Sequence, residues 1–218
     1  MASLTMEIEQ LFNQLELDKP RPITEIINTI RNRNGAFHKK YSSSWKMKSP
    51  DDSSLPIHIN QGGVYVFWWM GNSVESSDPL LGPMCTRSYK LQGTKIPGKS
   101  NSEEYHQIEI DINDNWLERY KGNIPLYVGK SAESILKRMS LHLQINQPKY
   151  RSRSTSDQLR RGIERLFCSH TNTTDLIVQH VGYSFITLHG QDNVVNRFYL
   201  ENYAIGKLMP LFNIDIER

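Results

Sequence analysis

A carboxylate, Glu201, falls inside an apolar stripe: Val194, Phe198, Ile205 and Leu208 recur around it at intervals of three and four, the spacing of one helical face. Buried alone it would be costly, so it either reaches a partner at the edge of the stripe or is kept for a purpose. Arg138 and His142 stand four residues apart beside Ile135, so both lean from one helical face, where a guanidinium can clamp a phosphate. Tyr65 and Tyr127 lie in two short apolar runs, Gly63-Val64-Tyr65 and Tyr127-Val128-Gly129, with Lys130 next. Each has an ordinary reading when taken singly: an ion pair at a helix edge, a solvated helix surface, packing tyrosines. Together they are groups able to bind an anion and move a proton.

The elements that must carry these residues are legible from periodicity. Apolar spacing predicts helices over Met6–Leu17 and Ile23–Ile30, separated by Pro20 and Pro22. Arg31–Asn60, mixed in Asn, Lys, Ser, Pro and Asp, reads as a long loop or arm. Gly63–Trp69 is β-branched and aromatic between glycines, a strand. After Gly71 a Pro/Gly/Ser-rich tract runs to Asn101, and the alternation Ile108–Ile112 is a strand inside an insertion. Ile124–Val128 is a strand feeding a helix over Ser131–Leu143. A basic, serine-rich linker then leads to a helix over Asp157–Phe167, an extended run over Leu176–Leu188 and a last helix over Asp192–Met209. No internal repeat is present. This order predicts an α+β fold, a small antiparallel or mixed sheet flanked by helices.

Gly63-Val64-Tyr65 and Tyr127-Val128-Gly129 resemble the paired signatures of the GIY-YIG nucleases. Lys130, Arg138, His142, Glu201 and Asn213 follow in the family's order, and the resemblance covers roughly 62–213. It implies a nuclease domain over 61–218, preceded by an N-terminal helical extension and arm over 1–60. The signatures stand close together in most of the family; here an insertion over about 71–121 separates them, as in its restriction endonucleases. By resemblance Glu201 holds one Mg²⁺ or Mn²⁺ per site, Tyr65 activates the attacking water with help from Lys130, and Tyr127 binds phosphate. Arg138 neutralises the non-bridging oxygens, and His142 orients the water or shares the base role. Gly63 and Gly129 allow close backbone approach, and Asn213 anchors the chain end.

The bulk composition bounds partners without choosing among them. The 218 residues carry a formal charge of +3, compatible with a nucleic-acid ligand without demanding one. Lys149, Arg151, Arg153, Arg160, Arg161 and Arg165 outnumber Asp157 and Glu164 and are candidates to track DNA phosphates. Cys85 and Cys168 form no metal-binding pair, which suggests a reducing cytoplasm. No stretch is apolar enough for a membrane span. No lysine is preceded two residues earlier by an acid, which disfavours the commonest restriction fold. The expected activity is cleavage of double-stranded DNA at a short site by a homodimer matched to its symmetry. The rival readings are a repair, homing or mobile-element nuclease, and a non-catalytic nucleic-acid-binding protein on the same scaffold.

Overall fold

The computed structural model describes residues 4–30, 44–70, 88–95, 105–111, 123–145, 158–166 and 173–213; for 88–95, 105–111 and Arg165 it describes the backbone alone. Its centre is β4 (Gly63–Met70), whose uninterrupted apolar run suits a strand covered on both faces. β4 lies antiparallel between β7 (Asn123–Ser131) and β8 (Val181–Thr187), and the two-residue β1 (Arg21–Pro22) extends the sheet beyond β8. β7 is therefore an edge strand.

Alternation along β4 divides the core into two clusters. Tyr65, Phe67 and Trp69 face α2 (Ile135–Leu143), α3 (Gln158–Leu166) and α4 (Thr173–His180), through Ile135, Met139, Leu159, Ile163 and Ile177. Val64, Val66 and Trp68 face α1 (Leu4–Leu17) and α5 (Val194–Leu208), through Ile8, Phe12, Leu200, Ala204 and Leu208. The protein is thus α+β, a small antiparallel sheet with helices on both faces. Five α-helices are found among the described residues, and none is long and apolar enough to cross a membrane.

Three expectations need correction. Over Ile23–Ile30 the chain makes only one 3-10 turn, Ile23–Ile26, and then β2 (Ile27–Thr29), paired antiparallel with β3 (Trp45–Met47) inside the expected loop. The segment is rich in β-branched residues, and Pro22 enters it in an extended conformation (φ −65°, ψ 144°). Ile23, Ile26, Ile27 and Ile30 are all buried, so the periodicity identified the inward residues while the neighbouring strand chose the conformation. The second correction concerns Leu176–Leu188, of which only the part from Val181 is extended. Residues 173–180 form α4, with Asp175 in its first turn and His180 in its last, both favourable to the helix dipole. Third, the insertion strand, β6 (Tyr105–Asp111), pairs with β5 (Ser88–Lys95), a strand within the Pro/Gly/Ser-rich tract where none was expected.

Candidate active site

The two signature tripeptides, 62 positions apart at their tyrosines, are hydrogen-bonded neighbours: Tyr65 lies opposite Gly129, Phe67 opposite Tyr127 and Val64 opposite Lys130. Tyr65 and Tyr127 consequently share the face covered by α2, while Lys130 points to the face covered by α5. A side chain at position 129 would block the first of these placements. A Cβ built on Gly129 lies 2.5 Å from Tyr65 Oη and 2.7 Å from its Cζ, so the Tyr65 ring lies across the glycine with its hydroxyl over β7. Gly63 likewise admits the Ile186 carbonyl of β8 and the side chain of Ile135.

Among the described residues the Tyr65 hydroxyl stands out. It is fully enclosed, and no well-directed hydrogen bond reaches it. Burial pushes its pKa well above the ordinary phenol value, and Tyr127 and Glu201 push it further; the Arg138 guanidinium, by charge and hydrogen bonding, draws it back. Nearly all buried polar groups in folded proteins are hydrogen-bonded, so an orphaned hydroxyl is a mark of function or of a missing partner.

Arg138 is carried on α2, whose N-cap is Ser134: its side chain accepts a hydrogen bond from the Lys137 N–H at 3.2 Å. One turn on, His142 is completely buried behind the tyrosines, its ring centroid 4.6 Å from that of Tyr127 and 6.0 Å from that of Tyr65. His142, expected to orient the attacking water or share the base role, is thus as enclosed as Tyr65 and lies against both tyrosine rings. Arg138 is partly exposed and lines an open pocket of about 320 Å³ with Lys130, Lys137, Ser131, Ser134 and Glu133, whose carboxylate pairs with Lys137 at 3.7 Å. Lys137 was missed by sequence reasoning; its adjacency to Arg138 on a short helix was the available signal.

Across the edge, Lys130 forms an ion pair with Glu201 of α5. The buried stripe of α5 runs through Arg197, Leu200, Ala204 and Leu208, and Val194 and Phe198 are exposed, so Glu201 lies at the margin of the stripe and not within it. Arg197 can occupy the core because it donates to the Leu188 and Gly190 carbonyls. Glu201 keeps 16 % of its side chain exposed and Lys130 keeps 40 %. Mg²⁺ and Mn²⁺ take oxygen ligands, and Mg²⁺ retains several waters, so one carboxylate beside phosphate oxygens suffices. Glu201, paired with Lys130 here, would have to exchange that ammonium for a cation to serve in this mode; among the described residues no three His, Cys, Asp or Glu side chains converge to form a fuller cage.

Asn213 closes the outer edge of β7 next to the site. Its Oδ1 accepts from the Val128 N–H and its Nδ2 donates to the Val128 carbonyl, both at 2.8 Å, so a side-chain amide replaces a missing strand. Phe212 N–H donates to the Leu126 carbonyl beside it.

The expected DNA-contacting set is only partly placed. Lys149, Arg151 and Arg153 lie outside the described residues, as does the side chain of Arg165; Arg161 is partly exposed. Arg160 is turned inward, which corrects its assignment to a phosphate-binding surface. It donates to the carbonyls of Leu143 and Gln144 at the end of α2 and to Thr174 Oγ1, and it pairs with Glu164, leaving 11 % of its side chain exposed. No protein-family model, curated protein or solved structure matches the chain.

Proposed function

We propose that this chain is a divalent-metal-dependent DNA endonuclease of the GIY-YIG type, acting as a restriction enzyme that cuts duplex DNA at a short site. The observation that carries the reading is the register of the two signatures: it sets the enclosed Tyr65 hydroxyl over Gly129, next in sequence to Lys130, which lines a pocket with Arg138 and pairs with Glu201. Packing needs neither an orphaned phenol nor three cations around one pocket.

In this reading Arg138, Lys130 and Lys137 hold the scissile phosphate and neutralise its non-bridging oxygens. Glu201 would hold the Mg²⁺ or Mn²⁺, which supplies charge stabilisation at the phosphate and at the departing oxygen. Tyr65 is protonated in the free protein, so a base role requires its proton to leave first. Release of Lys130 from Glu201 toward the hydroxyl would favour that loss by adding a positive charge. Tyr127 contributes a second phenol on the same face, and His142 sets the position of both rings. Cutting both strands of a palindrome calls for a homodimer, the simplest match to a two-fold site.

The test is cleavage of unmethylated phage DNA in Mg²⁺ by the wild type and by Glu201→Ala. Discrete fragment ends from the wild type, absent from a variant that still shifts DNA in a gel, are expected. Full cleavage by Glu201→Ala would remove Glu201 from the metal site. Absence of wild-type cleavage across Mg²⁺, Mn²⁺ and salt concentrations would favour the second reading, a non-catalytic DNA-binding protein, which the enclosure of the Tyr65 hydroxyl and of His142 supports.

A further inference from the structure

The first half of α5 presents large apolar side chains that the core does not use. Val194, Val195, Phe198 and Tyr199 are each about half exposed, while the inward face of the helix is built from other residues. Phe198 and Tyr199 meet edge to face, with centroids 5.7 Å apart and planes at 84°. Lys130 Nζ lies 5.2 Å from the centroid of Phe198, and Glu201, its ion-pair partner, follows Phe198 by three positions on the same helix. The aromatic patch therefore begins where the cations of the active-site pocket end, with one ammonium shared between them.

A ligand matched to this surface carries an anion at one end and a flat apolar face a few ångströms away. A nucleotide has that form: phosphate on Lys130 and Arg138, base against the rings. A protein surface is the rival occupant, since interface centres are enriched in aromatic residues within a polar rim; what favours a nucleotide here is the Lys130 ammonium, 5.2 Å from the Phe198 ring centroid and shared with the pocket that Arg138 lines. Cations combined with exposed aromatics are the means by which proteins hold unpaired bases, since every base has a π-face to stack. In an intact duplex those faces are covered by neighbouring bases, so the platform can engage one only when it has left the stack. We propose that Phe198 and Tyr199 form a stacking platform for an unstacked base next to the scissile phosphate, so that the preferred substrate is duplex DNA carrying an unpaired nucleotide at the cut. This rests on the nuclease reading above.

The probes are two otherwise identical oligonucleotide duplexes, one fully paired and one with a single unpaired 2-aminopurine, titrated in Ca²⁺ with the full chain and with Phe198→Ala/Tyr199→Ala. Both positions are on the surface, and matching thermal melts check the fold. The expected result is about 5- to 100-fold weaker binding of the unpaired-base duplex by the variant, together with loss of the 2-aminopurine quenching that stacking produces, and at least a fivefold smaller effect on the paired duplex. Rescue by Phe198→Trp/Tyr199→Phe is expected as well. Equal weakening of both duplexes, unchanged quenching, or conversion of a sedimenting dimer to monomer by the variant would overturn the platform. Wild-type cleavage of phage DNA, run in parallel, separates the two failures: with cleavage present, any of those results removes the platform and leaves the nuclease standing. Absence of both cleavage and DNA binding removes the nuclease reading, and the platform with it.

Discussion

Replacing Tyr65 with phenylalanine separates a functional hydroxyl from a structural one, because the two roles predict opposite signs for stability. The phenol oxygen is fully enclosed without a well-directed partner, and an unsatisfied buried polar group costs about 1–3 kcal/mol. Phenylalanine removes the oxygen and keeps the ring, which packs edge to face on Phe67 at 5.6 Å and beside His142 at 6.0 Å. The loss of whatever Arg138 contributes to the hydroxyl offsets part of the gain. A net stabilisation of about 1 kcal/mol is expected, or about 2–4 °C in Tm for a chain of this size. Cleavage should fall by about 10²–10⁴-fold, the usual worth of a general base. Urea denaturation, read as a change in midpoint at constant slope, gives the first quantity, and initial rates on phage DNA give the second. A destabilisation of about 1 kcal/mol or more would show that the hydroxyl is satisfied in the folded protein, and undiminished cleavage would show that it does no chemistry.

Three other outcomes follow from the same geometry. The raised pKa of Tyr65 fixes a pH dependence: below about pH 10 the phenol is protonated in both the folded and unfolded states, and above it only the unfolded chain ionises. Stability should therefore fall above about pH 10, by up to about 1.4 kcal/mol per pH unit for this group, and Tyr65→Phe should flatten the alkaline denaturation profile; Tyr183, raised by burial and by Glu25, adds to the slope in both proteins. Gly129→Ala places a methyl 2.5 Å from Tyr65 Oη and 2.9 Å from Tyr127 Cε1, so a loss of about 1–3 kcal/mol and of cleavage is expected. Gly206→Ala, in α5 with nothing within 4 Å of its Cβ, should instead gain about 0.5–1 kcal/mol, and equal effects of the two in chemical denaturation would contradict the close approach. Arg160→Ala should cost about 2–3 kcal/mol by stranding the carbonyls at the end of α2, yet leave the salt dependence of DNA binding unchanged, whereas Lys137→Ala should lower that slope by about 0.9.

The strands that bear the signatures and the helices over 135–143, 158–166 and 194–208 were legible because their apolar residues repeat in patterns that only one regular element buries. The isoleucines of 23–30 show the limit of that reasoning. All four are inward as their spacing implied, but a hydrogen-bonded partner strand, invisible to local periodicity, decided that the chain there is extended. The same limit governs the site. Lys130 and Glu201 are 71 positions apart, and nothing local to either announces that they meet, whereas the order of Tyr65, Tyr127, Arg138 and Glu201 along the chain could be read without knowing any distance. Arg160 looked like surface charge because side-chain direction on a helix is set by what lies opposite, here the exposed carbonyls ending α2.

On α5 the apolar pattern was right for Ile205 and Leu208 and wrong for Val194 and Phe198, for a reason that bears on function. Hydrophobicity assigned Val194 and Phe198 to the core and left Arg197 outside; in the folded chain the guanidinium goes in, satisfied by the Leu188 and Gly190 carbonyls, and the two apolar residues come out. Once Arg197 takes the inward position, rotation of the helix by about 100° per residue carries Phe198 toward the margin where Glu201 and Lys130 meet. The choice that buries an arginine is thus the one that exposes an aromatic ring beside the candidate active site. Arg197→Asp tests that linkage: a carboxylate can neither donate to the two carbonyls nor stay inside unpaired, so the helix should turn, burying more of Phe198 and weakening its contact with Lys130. Acrylamide quenching of a tryptophan at position 198, taken as the difference from the same chain without it, would fall in the Arg197→Asp background if the two faces are coupled, and would be unchanged if α1 and the sheet alone fix the helix.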